Sequence, residues 1–257
     1  MKLTVLVENI ASAALQAEWG LSYIIESDEK ILFDTGASEL FKSNAKKLNE
    51  NLDEIEKVVL SHGHWDHGSG LIHLSQKKLY AHPDIFKERF SGSRSIGLPF
   101  TRDEIEEKMD LLLSEDSRKV SENITFLGQI PRSRVFENKG ALFTDKNGNP
   151  DDIADDSAIA VVEDGKLIVI TGCAHAGLIN TVEHAKKVTG ITDLYAVIGG
   201  FHLQGHDQIT KETIAYLQEQ KVTKVYPSHC NQFPALAEFY QIFGAQPLKA
   251  GDMIDFT

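Results

Sequence analysis

A dense group of metal-ligating side chains directly follows an apolar strand segment, and this feature constrains the fold more than any other. Residues 57–60 have the apolar character of a strand and lead into the segment 62–67, whose sequence is HGHWDH. Neutral imidazole and carboxylate are the groups that bind zinc and similar divalent ions. The sequence therefore predicts a metal site at the end of this strand. The predicted ligands are His62, His64, Asp66 and His67.

Composition argues against several classes of protein. The chain has 257 residues, of which 42% are hydrophobic and 25% charged, as in an ordinary globular protein. The net charge of -12 disfavours a nucleic-acid partner, because such binding depends on Lys and Arg that neutralise phosphates. No signal peptide and no apolar run of about 20 residues is visible, so we expect a cytoplasmic protein without a membrane partner.

The order of the predicted elements indicates one domain over residues 1–257. Strands followed by helices occur in both halves, which favours two sheets with helices outside them. Residues 83–119 are predicted to form a helical insertion that covers the domain as a lid. Phe86 and Phe90 have helical spacing there, and Thr101 with Glu104 forms a capping box ahead of an apolar helix face. That predicted face consists of Ile105, Met109 and Leu112.

The motif His-x-His-x-Asp-His, preceded by Ser61, resembles the signature of the metallo-β-lactamase superfamily. Residues 33–36 are similar to the early Asp-x-Gly turn of that family, which implies that Asp34 supports the metal loop from behind. Residues 226–229 resemble the late strand that ends in a ligand histidine. The resemblance implies an α/β (α+β) fold: an αββα sandwich of two mixed β-sheets flanked by helices, with metals at one edge.

Four further segments are similar to one branch of this superfamily. Residues 18–22, 171–177, 199–203 and 227–230 together resemble the branch that includes the dihydropterin-linked ribofuranosylaminobenzene phosphate synthases. The functions within that branch are mixed. The resemblance therefore implies either hydrolysis or a transfer reaction on the same metal site.

Two histidines in the second half complete the ligand set that the resemblance implies. His175 follows the strand-like residues 167–171, and His229 lies at the end of another predicted strand. The expected ligands of the first ion are His62, His64 and His175, and those of the second ion are Asp66, His67 and His229. The alternative for His175 is a histidine at a helix start near solvent.

Cys173 stands where most relatives with two metals carry an aspartate that bridges the ions. In an extended chain Cys173 and His175 point to the same face, so a thiolate bridge is one interpretation. A small buried apolar side chain is the other. Cys230 directly follows His229, and strand alternation predicts that its side chain points away from the site.

A third set of residues is predicted to contact the substrate. His202 follows two glycines, and it is expected either to bind substrate and move a proton or to pack on the sheet edge. Several arginines in this acidic chain suggest a clamp for phosphate or carboxylate, with solvated salt bridges as the alternative. The candidate anion contacts are Arg89, Arg94, Arg102 and Arg132.

These features predict a metal-dependent hydrolase that acts on a small anionic substrate, such as a pterin- or phosphate-containing metabolite. Metal lowers the pKa of water from about 15.7 to roughly 7, which makes hydroxide available at neutral pH. Asp66 and His202 are the predicted catalytic residues. One or two divalent ions are expected, most simply zinc, with Mn, Fe, Ni and Mg as alternatives. The alternative functions are a dihydropterin-type synthase, a di-iron redox enzyme and a non-catalytic metal or ligand sensor.

Overall fold

The computed structural model describes residues 1–137 and 142–256. The strands of the first half are β1 (Lys2–Val7), β2 (Ser22–Glu26), β3 (Lys30–Phe33), β4 (Lys57–Val59), β5 (Lys78–Ala81), β6 (Arg89–Ser91), β7 (Arg94–Ser95), β8 (Asp110–Leu113) and β9 (Arg118–Lys119). Those of the second half are β10 (Ile124–Phe126), β11 (Phe143–Asp145), β12 (Pro150–Asp151), β13 (Ala158–Glu163), β14 (Lys166–Thr171), β15 (Leu194–Gly199), β16 (Lys224–Pro227) and β17 (Met253–Asp255). The helices are α1 (Leu40–Lys47), α2 (Trp65–Gly68), α3 (Arg102–Glu106), α4 (Leu178–Thr189), α5 (Gln208–Glu219) and α6 (Phe233–Phe243). Within these ranges, no helix has both the length and the apolar character needed to cross a membrane.

Two large sheets contain most of the strands. The first has seven strands in the order β17-β1-β2-β3-β4-β5-β8, and the second has six in the order β16-β15-β14-β13-β10-β9. A smaller sheet has the order β12-β11-β6-β7. The strands β3, β4 and β5 run parallel to one another, as do β14, β15 and β16. Because β1 with β2 and β13 with β14 are antiparallel, both large sheets are mixed.

Three apolar layers hold the sheets and helices together. The middle layer lies between the two large sheets and contains Phe33 and Ile124. On the other face of the first sheet, α1 contributes Phe41 to a second layer. On the other face of the second sheet, α4 contributes Val182 and α6 contributes Phe239. This arrangement confirms the predicted αββα sandwich.

The residues of β14 show how the sequence builds two of these layers at once. Ile168 and Ile170 belong to the layer between the sheets, whereas Leu167 and Val169 belong to the layer beneath the helices. Successive side chains of a strand point to opposite faces, so a strand that is covered on both faces is apolar throughout. The continuous apolar run of β14 is therefore a consequence of its central position.

The segment 83–119 differs from the predicted helical insertion. It begins with a short 3-10 turn and the hairpin of β6 and β7, and β8 then extends the first sheet beside β5. The predicted capping box of Thr101 and Glu104 is present, but it starts a helix of only five residues. Leu112 pairs with Tyr80 in the sheet instead of continuing that helix. The strand partner that the fold supplies overrides the helical spacing of the local sequence.

Candidate metal centre

The candidate functional residues lie in loops that follow parallel strands. In the first sheet, Asp34 follows β3 and His62 follows β4. In the second sheet, Cys173 follows β14, His202 follows β15 and His229 follows β16. Parallel strands direct their carboxyl ends to the same edge of a sheet, which is where open α/β folds place their sites. The sandwich thus gathers side chains from both halves of the chain at one edge.

Four residues of these loops have a left-handed backbone. The φ angle is 54° at Asp34, 51° at Ala174, 52° at His202 and 53° at His229. Such a conformation costs about 1–3 kcal/mol for a residue with a side chain, and it persists where the surrounding structure enforces it. It turns the chain sharply at the strand end, so part of the backbone strain of this protein lies at the functional edge.

Two overlapping groups of ligand atoms lie at this edge. The first ligand group contains His62, Cys173 and His175, and the second contains His67, Cys173 and His229. Within each group, the ligand atoms all lie within 4.8 Å of one another, which suits coordination of a single ion. Cys173 belongs to both groups. Its sulfur therefore lies where a bridge between two neighbouring ions would lie.

His64 and Asp66 complete these groups. The Nδ1 atom of His64 lies 2.9 Å from Nε2 of His62 in the first ligand group. The Oδ2 atom of Asp66 lies 3.4 Å from Nε2 of His229 and 4.0 Å from Nε2 of His67 in the second. The structure thus brings together all the side chains that were predicted to bind the two ions.

Asp34 orients two of the imidazoles. Its Oδ2 accepts one hydrogen bond from Nδ1 of His67 and one from Oγ of Ser61, each over 2.7 Å. Because the Ser61 hydroxyl donates its hydrogen bond to Asp34, its oxygen accepts a hydrogen bond from Nδ1 of His62 over 2.9 Å. Both rings therefore carry a proton on Nδ1 and direct the Nε2 lone pair towards the ligand groups. Gly172 permits this packing, since a Cβ there would lie 2.1 Å from Ser61 Oγ.

Burial sets the charge of most ligands. It holds the pKa of His62 and His175 well below the usual value, and it lowers the pKa of His64 to about 3. These imidazoles are neutral at pH 7, as metal coordination requires. Burial alone would raise the pKa of Asp66, but the adjacent histidines, His67 first, hold it below its usual range. This carboxylate is therefore ionised.

Two ligands hold a proton in the metal-free protein. Burial raises the pKa of the Cys173 thiol well above its usual value. Burial lowers the pKa of His229, but the hydrogen bond with Asp66 and nearby negative groups outweigh burial and raise this pKa to about 9. A divalent ion would displace both protons, because a coordinating thiol is deprotonated outright.

The arrangement fits a divalent cation. Within the described part of the chain, the buried Nε2 atom of His175 has no hydrogen-bond partner. The Sγ atom of Cys173 lies only 3.2 Å from Nε2 of His67. Buried polar atoms nearly always have a partner, so an orphaned ring nitrogen beside other inward-facing donors indicates a place for a cation. Imidazoles, a thiol and a carboxylate together form a donor set that zinc prefers.

The sequence analysis missed the residues that hold His229. The buried carboxylate of Glu8 accepts hydrogen bonds from the backbone N–H of His229 over 3.2 Å and from Oη of Tyr23 over 2.6 Å. Asn9 contacts both the ring and the carbonyl oxygen of His229. The one local signal is that Glu8 and Asn9 form a polar pair directly after the apolar strand β1, but it does not identify His229 as their partner.

An open cavity of about 430 Å³ lies over the two ligand groups. Trp19, Trp65 and Phe143 line it with aromatic rings, and Arg94 adds a positive charge. The Trp19 side chain remains 51% exposed, and its ring centroid lies 5.4 Å from that of His229. The approach to the ligands is therefore bounded by aromatic surfaces.

The predicted anion clamp is only partly assembled. Arg94 lines the cavity, and its guanidinium lies 5.2 Å from the centroid of the Trp65 ring. Arg89 is instead fully buried, where it forms salt bridges with Asp151 and Asp155. These partners are more than sixty positions away in the chain, so no local pattern indicated them. Arg89 is therefore a structural cation and not a substrate contact.

The other two arginines are also occupied elsewhere. Arg102 pairs with Glu106 on the exposed surface of α3. Arg132 donates to the carbonyl oxygens of His175 over 2.9 Å and of Ile153 over 3.1 Å, and its second nitrogen also contacts Asp152. Arg132 thus supports the ligand loop, and it lines a neighbouring pocket with His175 and His202 instead of the cavity over both ligand groups.

The residues His202 and Cys230 both line the cavity. The ring centroid of His202 lies 4.6 Å from that of His175, beside the first ligand group. The prediction that Cys230 points away from the site is wrong. It assumed strand alternation, and the left-handed backbone of His229 interrupts that alternation immediately before Cys230.

Comparisons with known proteins agree with this geometry. The family model of the metallo-β-lactamase superfamily matches residues 20–84. A 7,8-dihydropterin-6-methyl-4-(β-D-ribofuranosyl)-aminobenzene-5'-phosphate synthase of Methanocaldococcus jannaschii is 33% identical over 286 residues, which cover 100% of this chain and 97% of the relative. An uncharacterized protein of the same organism is 33% identical over 253 residues, which cover 93% of this chain and 94% of that relative.

A solved structure extends the likeness to three dimensions. A metal-dependent hydrolase of the β-lactamase superfamily superposes on this protein with a TM-score of 0.89 at 27% sequence identity. The superposition covers 100% of this chain and 99% of the other. Because a relative that is 33% identical covers the whole chain, and because the family model and the fold agree with it, the chain belongs to the metallo-β-lactamase superfamily.

Proposed function

We propose that this protein is a metal-dependent hydrolase that directs water onto a small anionic substrate. The observation that carries the proposal is the pair of ligand groups that share Cys173 beneath an open cavity. When divalent ions are bound there, they supply Lewis-acid activation and lower the pKa of water to roughly 7. Zinc is the proposed metal, because a soft thiolate among imidazoles favours it over Mn, Fe, Ni or Mg.

Asp66 and His202 are the groups proposed to handle protons. Asp66 is ionised, and its carboxylate accepts a hydrogen bond from the attacking water and so orients it. His202 lies at the cavity wall beside His175, where its ring is placed to donate a proton to a leaving group. Asp34 acts through His67, whose ring it holds in the ligand tautomer.

The cavity walls favour a planar substrate that carries a negative charge. Flat rings stack on aromatic faces such as those of Trp19 and Trp65. The guanidinium of Arg94 is suited to a phosphate or carboxylate at the cavity rim. A metabolite that contains both a pterin ring and a phosphate has both features. The relative named as a dihydropterin-linked synthase supports this class of substrate.

A transfer reaction is the second candidate. It is favoured by one specific observation, since the relative named as a synthase aligns with 100% of this chain. In a transfer, the same cavity would hold a second substrate whose nucleophile replaces water. Asp66 and His202 would keep their roles, because both reactions need a base for the nucleophile and an acid for the leaving group.

The test combines metal analysis with turnover in labelled water. The purified protein is analysed for bound metals and then assayed with phosphorylated pterins and aromatic phosphate esters in water enriched in oxygen-18. Label in the product supports hydrolysis, whereas a product that combines two substrates without label supports transfer. Iron with oxygen consumption would indicate a redox enzyme, and metal-loaded protein without turnover would indicate a sensor. The His202→Gln variant should lose turnover but retain metal.

A further inference from the structure

We infer that Asn9 is a positioning residue for the second ligand group: it holds the His229 ring with its proton on Nδ1 and its lone pair on Nε2. This inference rests on the two-ion site proposed above. Asn9 follows β1 in the first sheet, whereas His229 follows β16 in the second, so the contact joins opposite halves of the chain. Neither residue type nor spacing along the chain indicates it.

Three hydrogen bonds surround the Asn9 side chain. Its Nδ2 donates to the carbonyl oxygen of His229 over 2.8 Å. Its Oδ1 lies 3.2 Å from Nδ1 of His229 and 3.4 Å from the backbone nitrogen of Gly20. The amide therefore grips His229 at two points, one on the backbone and one on the ring.

The partners of Asn9 fix which end of its amide faces the ring. A carbonyl oxygen can only accept, so the NH₂ end must face the His229 carbonyl. A backbone N–H can only donate, so the oxygen end must face Gly20. The atom opposite Nδ1 of His229 is then an acceptor without a proton. The ring must donate from Nδ1, and this assignment follows from the network without any observed hydrogen.

The consequence appears on the opposite side of the ring. With its proton on Nδ1, His229 presents Nε2 to Nε2 of His67 over 3.1 Å and to Oδ2 of Asp66 over 3.4 Å. Asp34 imposes the same tautomer on His67. A ligating histidine almost always donates its other N–H to a protein group, and such partners change metal affinity when they are removed. Asn9 supplies that partner for His229.

Glu8 supports the same arrangement from the backbone side. Its carboxylate accepts from the N–H of His229 and from the hydroxyl of Tyr23. The Tyr23 hydroxyl lies 3.0 Å from Oγ of Ser228, the residue before His229. This buried network holds the left-handed backbone of His229, and Asn9 then sets the ring. The two neighbouring side chains thus have separate effects on one ligand.

The test measures zinc binding by the full-length protein. Zinc is titrated against chelators of graded strength, and the bound metal is counted. The Asn9→Ala variant should bind the second zinc about 10–100-fold more weakly and the first with unchanged affinity. When Asn9→Ala is labelled with nitrogen-15 histidine and loaded with zinc, it should lose the exchange-protected Nδ1–H signal of His229 that the wild-type protein shows. The Asn9→Asp variant keeps the acceptor for Nδ1 but loses the donor to the His229 carbonyl oxygen, so it should retain the Nδ1–H signal and lose less zinc affinity than Asn9→Ala.

The control variant is Asn231→Ala. Asn231 is a buried asparagine of the same loop, and its side chain bonds to the backbone of Ser228 and Leu203. It should reproduce any loosening of the loop and leave the second zinc in place. If Asn231→Ala loses as much zinc affinity at the second ligand group as Asn9→Ala does, the inference is overturned. It is also overturned if Asn9→Asp loses as much as Asn9→Ala.

Two further outcomes separate the inference from the proposal on which it rests. If the wild-type protein and Asn9→Ala both bind two zinc ions, and with the same affinities as each other, only the role of Asn9 is overturned. Wild-type protein that binds no second zinc overturns the two-ion site and this inference with it.

Discussion

The Nε2 atoms of His67 and His229 lie 3.1 Å apart, although 162 positions separate the two residues in the chain. Each ring donates a hydrogen bond from Nδ1 to a different side chain. His67 donates to Asp34, and His229 donates to Asn9. Two neutral rings in these tautomers would place their lone pairs against each other. A cation must therefore lie between or beside them, and at the second ligand group that cation is either a metal ion or a proton.

Metal uptake at the second ligand group should weaken as the pH falls. The pKa of His229 is raised to about 9 and that of Cys173 is raised well above its usual value, so both groups are protonated at neutral pH without metal. The ion must displace those protons below the raised pKa values. We expect zinc affinity to fall about tenfold per displaced proton for each pH unit. Zinc titrations between about pH 6 and pH 9 measure the slope.

A variant separates the two protons in this pH dependence. Cys173→Ala removes one of them, so its slope should be one unit smaller than that of the wild-type protein. Proton release can be measured directly by calorimetry in buffers of different ionisation enthalpy. Zinc affinity that does not change with pH in the wild-type protein would contradict the assigned protonation states.

Cys173 should determine which metal the protein prefers. Its sulfur belongs to both ligand groups, and a soft thiolate favours zinc. Because Sγ lies 3.2 Å from Nε2 of His67 in the second ligand group, Cys173→Ala should weaken the second ion more than the first. Cys173→Asp should shift the preference towards manganese or magnesium. Metal content after equilibration with mixed metals measures both effects. Cys230→Ala is the matched control, because its thiol lines the same cavity but belongs to neither ligand group.

Loss of Arg89 should affect stability. Its guanidinium is fully buried with Asp155, which also accepts from the backbone N–H of Gly63 in the metal loop over 2.8 Å. Removing one partner of a buried pair leaves an uncompensated charge, at a cost of about 3–5 kcal/mol. We expect Arg89→Met to lower the free energy of unfolding by this amount in chemical denaturation, and Asp155→Asn to lower it by less, because Asp151 still pairs with Arg89. Arg102→Ala, on the surface, should change it by less than about 0.5 kcal/mol.

Arg94→Ala should weaken substrate binding without loss of stability. Arg94 is exposed and lines the cavity, so its charge is available to an anion. We expect KM for an anionic substrate to rise roughly tenfold, as the loss of one charged hydrogen bond at a partly exposed site implies. A neutral analogue of the same substrate is the control, and its KM should not change. Equal effects on both substrates would rule out charge recognition by Arg94.

The sequence identified the candidate metal ligands better than the residues that hold those ligands in place. His62, His175 and His229 were recognisable because each follows an apolar strand, and that local pattern survives in the fold. The roles of Asn9 and Arg89 were not recognisable, because the partners of these residues lie in distant parts of the chain. Spacing within a strand or helix predicts which residues share a face, but it carries no information about contacts between the two sheets.

Local patterns also failed where the tertiary structure changes the backbone. Leu112 has helical spacing from Ile105 but pairs in a sheet, because β5 offers an open edge. Cys230 has the alternation of a residue that points away, but the preceding left-handed residue redirects it. In both cases the prediction used the correct local rule, and a constraint from elsewhere in the fold displaced it.

The division of the ligands between the two sheets also affects folding. His62 and His67 come from the first half of the chain, whereas Cys173 and His229 come from the second. Neither half alone offers a complete coordination sphere, so an ion binds tightly only after the sheets have docked. Binding to the folded state alone adds about 2.7 kcal/mol of stability at a free-ion concentration a hundred times Kd. A chelator should therefore lower the melting temperature as well as the activity, because a bound metal would cross-link two sheets that come from different halves of the chain.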